Sequence, residues 1–343
     1  MDTKEKGRIE SVDILRAVGI LIMVMGHVGF GGKFDRYIHS FHMPVFFLIS
    51  GSLFVSKRET GVFTLILKKA KRLLIPYVFY ALFNYIFWLL IGYAQGTPWY
   101  VPLLRAVTYN TSGLPICGAL WFLTAMFFAE SFYMILDRII KNGYIRPIIT
   151  VSLAVVASFL QNRTDYRLPL TIDTAVICMG FFEIGRVFTN VDKTAAFKKL
   201  SERKSILFIT GVLLVIINAV LSFVNPYVNI KSGWYGFVPL FWINAIIGSA
   251  GFLALSVWFD KTAAPKSSLR EFLVTTGRTS MIFLGLNQLV IMLIAFCWTI
   301  MEIRANFYVE AAVIFLVSAA VLYLISFAAN RIKNKTIRTL LGI

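Results

Sequence analysis

Residues 12–31 read VDILRAVGILIMVMGHVGFG. The stretch is long and apolar enough to cross a bilayer as a helix, yet it carries Asp13, Arg16 and His27. Ionisable groups at membrane depth are costly, and their default reading is functional. Arg16 and His27 lie eleven positions apart, which on a helix returns to one face within about 20° and roughly 16 Å along the axis. Asp13, one turn before Arg16, shares that side. A single polar stripe thus runs from the membrane edge into its interior.

Composition extends this reading to the whole chain. Of 343 residues, 58% are hydrophobic and only 15% charged, and the mean hydropathy is +0.75, far from that of a soluble domain. Apolar runs recur near 12–31, 38–56, 73–94, 118–137, 147–160, 172–189, 205–224, 237–259, 279–300 and 308–329, which makes about ten helices with the fifth the shortest. The expected fold is an all-α, polytopic membrane bundle, with residues 1–343 as one transmembrane domain. The first span does not read as a cleavable signal peptide. Acidic as well as basic residues precede it, and no small-residue cleavage site follows.

A formal net charge of +17 would suggest nucleic acid in a soluble protein. Its distribution points elsewhere. Lys and Arg gather in alternate loops: at 4–8, 57–72, 138–146, 193–204, 261–278 and 331–338. The positive-inside rule then sets both termini in the cytoplasm and the chain in the cytoplasmic membrane, with anionic lipid as the partner of the excess charge and no nucleic acid. Cys117, Cys178 and Cys297 are an odd, scattered set without metal-ligand spacing, so neither a disulfide framework nor a metal site is expected. No internal repeat of the kind found in transporters is apparent.

Several residues carry potential chemistry. His27 can take and return a proton near neutral pH, and Gly26 beside it leaves room for a neighbouring helix or a substrate. Arg16 lies where it can reach phosphates at the inner surface, or pair with Asp13. His42, opening the run Phe41-His42-Met43-Pro44 through Ser50-Gly51, would reach a depth similar to His27 in a helical hairpin. It could bind an acceptor hydroxyl or simply sit at the interface. His39, a turn earlier, reads as solvated. Ser50 and Gly51 read as a packing device. The basic group Lys68, Lys69, Lys71 and Arg72, before Leu73-Leu74-Ile75-Pro76, could hold a phosphorylated ligand or lipid; Arg72 stands nearest the membrane. Trp121 and Glu130, nine positions apart, fall on one face and could line a shared cavity. Glu183 and Arg186 are spaced to pair, and Asn287-Gln288 to glue helices.

These residues resemble the acyltransferase 3 family of integral-membrane O-acyltransferases, in its fucose 4-O-acetylase-like branch. The likeness rests on Asp13-Ile14-Leu15-Arg16 followed by His27, on Phe41-His42-Met43-Pro44 through Ser50-Gly51, on Arg72-Leu73-Leu74-Ile75-Pro76, and on Leu120-Trp121-Phe122-Leu123. It implies transfer of an acyl group, usually acetyl, from acyl-coenzyme A (acetyl-CoA) as co-substrate to a hydroxyl of a cell-envelope carbohydrate or glycolipid. No permanently bound cofactor is implied. Arg16 and His27 match the family's essential arginine and histidine, with Asp13 beside them. Arg16, Arg72 and Lys69 would then meet the acyl-CoA, and His42, Trp121 and Glu130 the acceptor. Where many relatives carry a late histidine in span nine, this chain has Leu286-Asn287-Gln288. A transporter or exporter of a lipid-linked or acylated sugar is the rival from another class, since buried charges and many spans suit it equally.

Overall fold

The computed structural model describes residues 9–91, 96–111, 114, 116–192 and 202–343. Among them there is no β-strand, only an isolated antiparallel bridge between Asn229 and Trp234. The helices are α1 (Glu10–Val28), α2 (Gly32–His39), α3 (His42–Ser52), α4 (Val62–Leu90), α5 (Tyr100–Val107), α6 (Trp121–Ile139), α7 (Ile145–Gln161) and α8 (Ile172–Asp192). They continue with α9 (Lys204–Val224), α10 (Val238–Thr262), α11 (Ser268–Arg278), α12 (Ser280–Ile300), α13 (Phe307–Asn330) and α14 (Lys335–Leu341).

Seven of these helices are long and apolar enough to cross a membrane. The protein is therefore a polytopic helical membrane protein. Which helices sit at the centre follows from what they bury. The most apolar window of the Gly118–Ile139 span is 72% buried, against 22% for α9. The outward faces of α9 (Ile209, Leu213, Ile216, Val220) and α4 (Val78, Leu82, Ile86) instead expose apolar side chains at helical spacing. That is a lipid-facing stripe. Helix α1 packs against α3, α10, α11 and α12 at once, so the span that carries Asp13, Arg16 and His27 lies among neighbours rather than in lipid.

The expected span at 38–56 takes a different form. Phe41 leaves helical geometry (φ −145°), and α3 runs for only 11 residues, about 16 Å, roughly half a hydrocarbon core. It is tolerated because it is wedged against α1, α8 and α10 rather than exposed to lipid. Helix α4 departs in the other direction. It begins at Val62, well before the expected 73, and carries its lysines on a 29-residue helix rather than in a loop.

Close approach of backbones sets the α3–α8 contact. A Cβ on Gly51 would overlap the Phe182 carbonyl oxygen, and one on Gly185 would overlap that of Leu48. Gly51 is thus the packing device its composition suggested. Near the end of α6, Asp137 gathers Arg146 (2.7 Å), Arg186 (3.1 Å) and Arg58 (3.4 Å), tying α6, α7, α8 and the α3–α4 connection. The expected Glu183–Arg186 pair is not made this way. Arg186 turns to Asp137 and the Tyr133 hydroxyl, while Glu183 faces Arg146 Nε at 3.5 Å. The i,i+3 spacing permits a pair, but the carboxylate on the neighbouring helix lies closer to the guanidinium.

Gly51→Val and Gly185→Val should each push α3 from α8, costing upwards of about 1–3 kcal/mol. We expect a lower melting temperature and an aggregated fraction on size exclusion. Gly61→Ala, whose new methyl would meet Thr64 at an ordinary 3.6 Å, should melt as the wild type does.

Candidate active site

His27 stands in the last turn of α1 and opens onto a cavity of about 270 Å³. The cavity is built from several elements. Helix α1 gives Met23, Gly26 and His27; α2 and α3 give His39, His42 and Met43; the turn before α6 gives Gly118 and Ala119, and α6 gives Trp121. The loop between α9 and α10 adds Asn229, Ile230 and Lys231, and α12 adds Leu284 and Gln288. All three histidines of the chain meet here.

Hydrogen bonds orient each ring. His39 Nδ1 donates to the Asp35 carbonyl and His42 Nδ1 to the Ile38 carbonyl, both at 2.8 Å, which leaves their Nε2 atoms as acceptors when neutral. The two rings pack edge to face with centroids 5.0 Å apart. His27 differs. The Gly118 N–H donates to Gln288 Oε1, which fixes that amide's orientation, and Gln288 Nε2 then donates to His27 Nδ1 at 3.0 Å. Neutral His27 therefore carries its proton on Nε2 in this arrangement.

The polar stripe of α1 divides between two ends of the bundle. Asp13, at the end opposite His27, is buried and receives Arg16 and Arg278, each at 3.3 Å. Gly277 packs so tightly on the Asp13 carbonyl that a Cβ there would overlap it. Between Arg16 and His27 lie Ile20 and Met23, each 2% exposed. The two expected partners are thus joined by a helix face, and apolar side chains close the space between them.

The remaining expected site residues separate. His42 and Trp121 line the cavity with His27. Glu130 does not share it. Its carboxylate meets Lys69 at 2.5 Å and accepts from the Ser50 hydroxyl, cross-linking α3, α4 and α6. Nine residues restore a helix face but also shift it by about 13 Å, enough to leave the cavity. Lys69 is consequently engaged by a carboxylate, whereas Arg72 is exposed on α4. His39, expected to be solvated, lines the cavity instead, because the short helix α2 folds over the end of α1. Gln288 does join helices, as its amide character suggested, but its target is His27. Lys231 was outside the expected set: no periodicity reaches a loop residue.

A larger hollow, about 630 Å³, runs along the outward face of α4 past Leu74, Val78 and Leu82 to Leu340. It is an apolar groove on the lipid side and holds none of these polar groups.

A profile of a known family, described as an acyltransferase domain, matches residues 9–331. The chain belongs to the acyltransferase 3 family. It is a membrane acyltransferase, as the resemblance of its sequence motifs implied. No curated protein and no solved structure matches it significantly. Because family membership spans nearly the whole chain, the half-length helix α3 and the helix α2 that closes the cavity both belong to the family's domain.

Asp13→Asn should test the helix-end cluster. Losing the carboxylate sets two guanidinium groups beside one neutral amide. We expect a loss of about 2 kcal/mol, below the 3–5 of a fully buried pair because both arginines keep some solvent. A fall in melting temperature by intrinsic fluorescence would show it; an unchanged melt would mean the pairs add nothing to stability.

Proposed function

We propose that this acyltransferase moves an acyl group, acetyl by preference, from a cytoplasmic acyl-CoA to a hydroxyl of a cell-envelope carbohydrate or glycoconjugate, with His27 as general base. The observation that carries this reading is the spacing on α1. A half-buried imidazole lining a polar cavity stands about 16 Å along the same helix face from an arginine at the opposite end. The alternate basic loops favour a cytoplasmic location for the Arg16 end in the cytoplasmic membrane. A nucleotide's phosphates would then meet Arg16, with the exposed Arg72 as a further cation for the donor, and an extended pantetheine arm would carry the thioester inward. The assignment to the fucose 4-O-acetylase-like branch is part of this proposal and fits a sugar acceptor.

In this mechanism His27 takes the proton of the acceptor hydroxyl as its oxygen attacks the thioester carbonyl. The tetrahedral oxyanion collapses, the C–S bond breaks, and the imidazolium returns its proton to the departing thiolate. The ester and free coenzyme A account for every atom. Gln288 has to take part. Its amide holds Nδ1, so the lone pair that accepts the proton becomes available either when Gln288 releases Nδ1, or when its oxygen takes Nδ1–H and frees Nε2. His42 and Trp121 would orient the acceptor.

The direct test uses radiolabelled acetyl-CoA and detergent-purified protein. His27→Ala should bind the donor normally while turnover falls by about 10²–10⁴. Arg16→Ala should weaken donor binding by roughly tenfold or more, the worth of a charge-assisted hydrogen bond. Wild-type protein that is folded but neither binds nor cleaves any acyl-CoA would sink the donor assignment and favour transport of an acylated sugar.

Gln288→Leu leaves the Gly118 N–H and His27 Nδ1 without their shared partner. We expect about a tenfold slower turnover, the cost of roughly one hydrogen bond, with donor affinity intact. Gln288→Glu can accept from both groups and should retain most of the rate. Equal loss in both variants would assign Gln288 to packing alone.

A further inference from the structure

Lys231 reaches the cavity from a loop that is itself tightly built. Asn229 and Trp234 exchange backbone hydrogen bonds (2.7 and 3.0 Å), and the Asn229 side chain accepts from the Ser232 N–H at 3.2 Å. Gly233 takes the left-handed conformation (φ 74°) that ends the single 3₁₀ turn Ile230–Ser232. The Arg167 guanidinium holds the Ser232 carbonyl from the α7–α8 connection. The lysine is therefore presented by a braced turn rather than by a free loop.

Its ammonium lies beside the catalytic imidazole's support. A Cβ added to Gly118 would stand 3.1 Å from Lys231 Nζ, and the same Gly118 donates to Gln288, which bonds His27. The charged and titratable groups of the cavity are Lys231, His27, His39 and His42, joined by the amides Asn229 and Gln288. No carboxylate is among the described lining residues. Asp35, close to His39, is engaged by the Phe30 and Gly31 N–H groups. The neighbouring stretches 92–120 and 225–237 contain no Asp or Glu at all. Burial pushes the Lys231 ammonium below the ordinary lysine range, as expected of a cation that has lost water without gaining a counter-ion.

We propose that Lys231 selects an anionic acceptor, a hydroxyl compound bearing a carboxylate or phosphate beside the hydroxyl that is acylated. This rests on the acyl-transfer reading above and names its substrate class. A desolvated ammonium is costly alone and is compensated when a ligand brings the opposite charge. A neutral polyol fits less well. Its hydroxyls can donate to the Nε2 atoms of His39 and His42, but they bring no negative charge to the ammonium.

The test compares methyl glucuronide, glucose 1-phosphate and methyl glucoside as acceptors of radiolabelled acetyl, using wild type, Lys231→Gln and Lys231→Arg. Binding of the same compounds is followed separately by quenching of intrinsic tryptophan fluorescence without donor, Trp121 lying in the cavity. At least one charged acceptor should exceed methyl glucoside in kcat/KM by about tenfold or more, the worth of one partly desolvated ion pair. The preference should fall to near unity in Lys231→Gln, through KM, and persist in Lys231→Arg. The uronide against the phosphate identifies which anion fits. The proposal is overturned if the preference is absent, if it survives Lys231→Gln, or if that variant lowers kcat equally with every acceptor. The last result would make Lys231 a stabiliser of the thioester oxyanion. Failure of the acyl-transfer reading has another signature, a folded wild type that neither binds nor cleaves acetyl-CoA. Charged-ligand quenching that depends on Lys231 would still uphold anion selection in that case, and its absence would reject it.

Discussion

A charge inside an apolar bundle persists only where a partner or water meets it, and α1 carries its charges among six neighbouring elements. At one end Asp13 is closed in by Arg16, Arg278 and the backbone of Gly277. At the other, His27 is held by Gln288, which is itself fixed by Gly118. These two anchorages determine much else. They require α11 to cross the start of α1 without a side chain at 277, and α12 to bring an amide to its last turn. They also require the 3₁₀ turn before α6 to offer a backbone N–H to that amide. The central position of α1 follows from the need to keep these groups out of lipid.

How much of this was legible in the sequence depends on which physical signal each residue carries. Helical periodicity and apolar length mark α1, α6, α9, α10, α12 and α13 closely, because lipid imposes both. The similar depth of His27 and His42 was also legible, since membrane depth can be counted along a helix, whereas Trp121 was placed on a face with Glu130 and reaches this cavity without it. Contacts between helices were not. Glu130 and Trp121 share a face but sit at different depths, and Glu130 is drawn to Lys69, whose position required knowing that α4 begins at Val62. Arg186 and Glu183 have the spacing of a pair but answer to Asp137 and Arg146 on other helices. The α3 segment reads as a span because its residues are apolar, while its length is set by Phe41 and by burial against protein. Lys231 and His39 carry no periodic signal, and their approach to the cavity depends on how a braced loop and a short helix fold over the bundle's end.

The separation of the two ends bears on chemistry. On the proposed reading, the acyl donor enters at the Arg16 end, and a permanently open passage from Arg16 to His27 would leak small solutes across the membrane. Ile20 and Met23 close that space with apolar side chains.

The identity of those two side chains is suited to opening as well as closing. Met23 is unbranched, with three rotatable bonds, and can change shape at little cost, whereas Ile20 is restricted at χ1. Met23 is also the one that lines the cavity, one turn from His27 on the same face. On the proposed reading, a pantetheine arm threading along α1 would meet its stiff obstacle near Arg16, where the proposed phosphate contacts would help displace it. The compliant obstacle comes at the reacting centre.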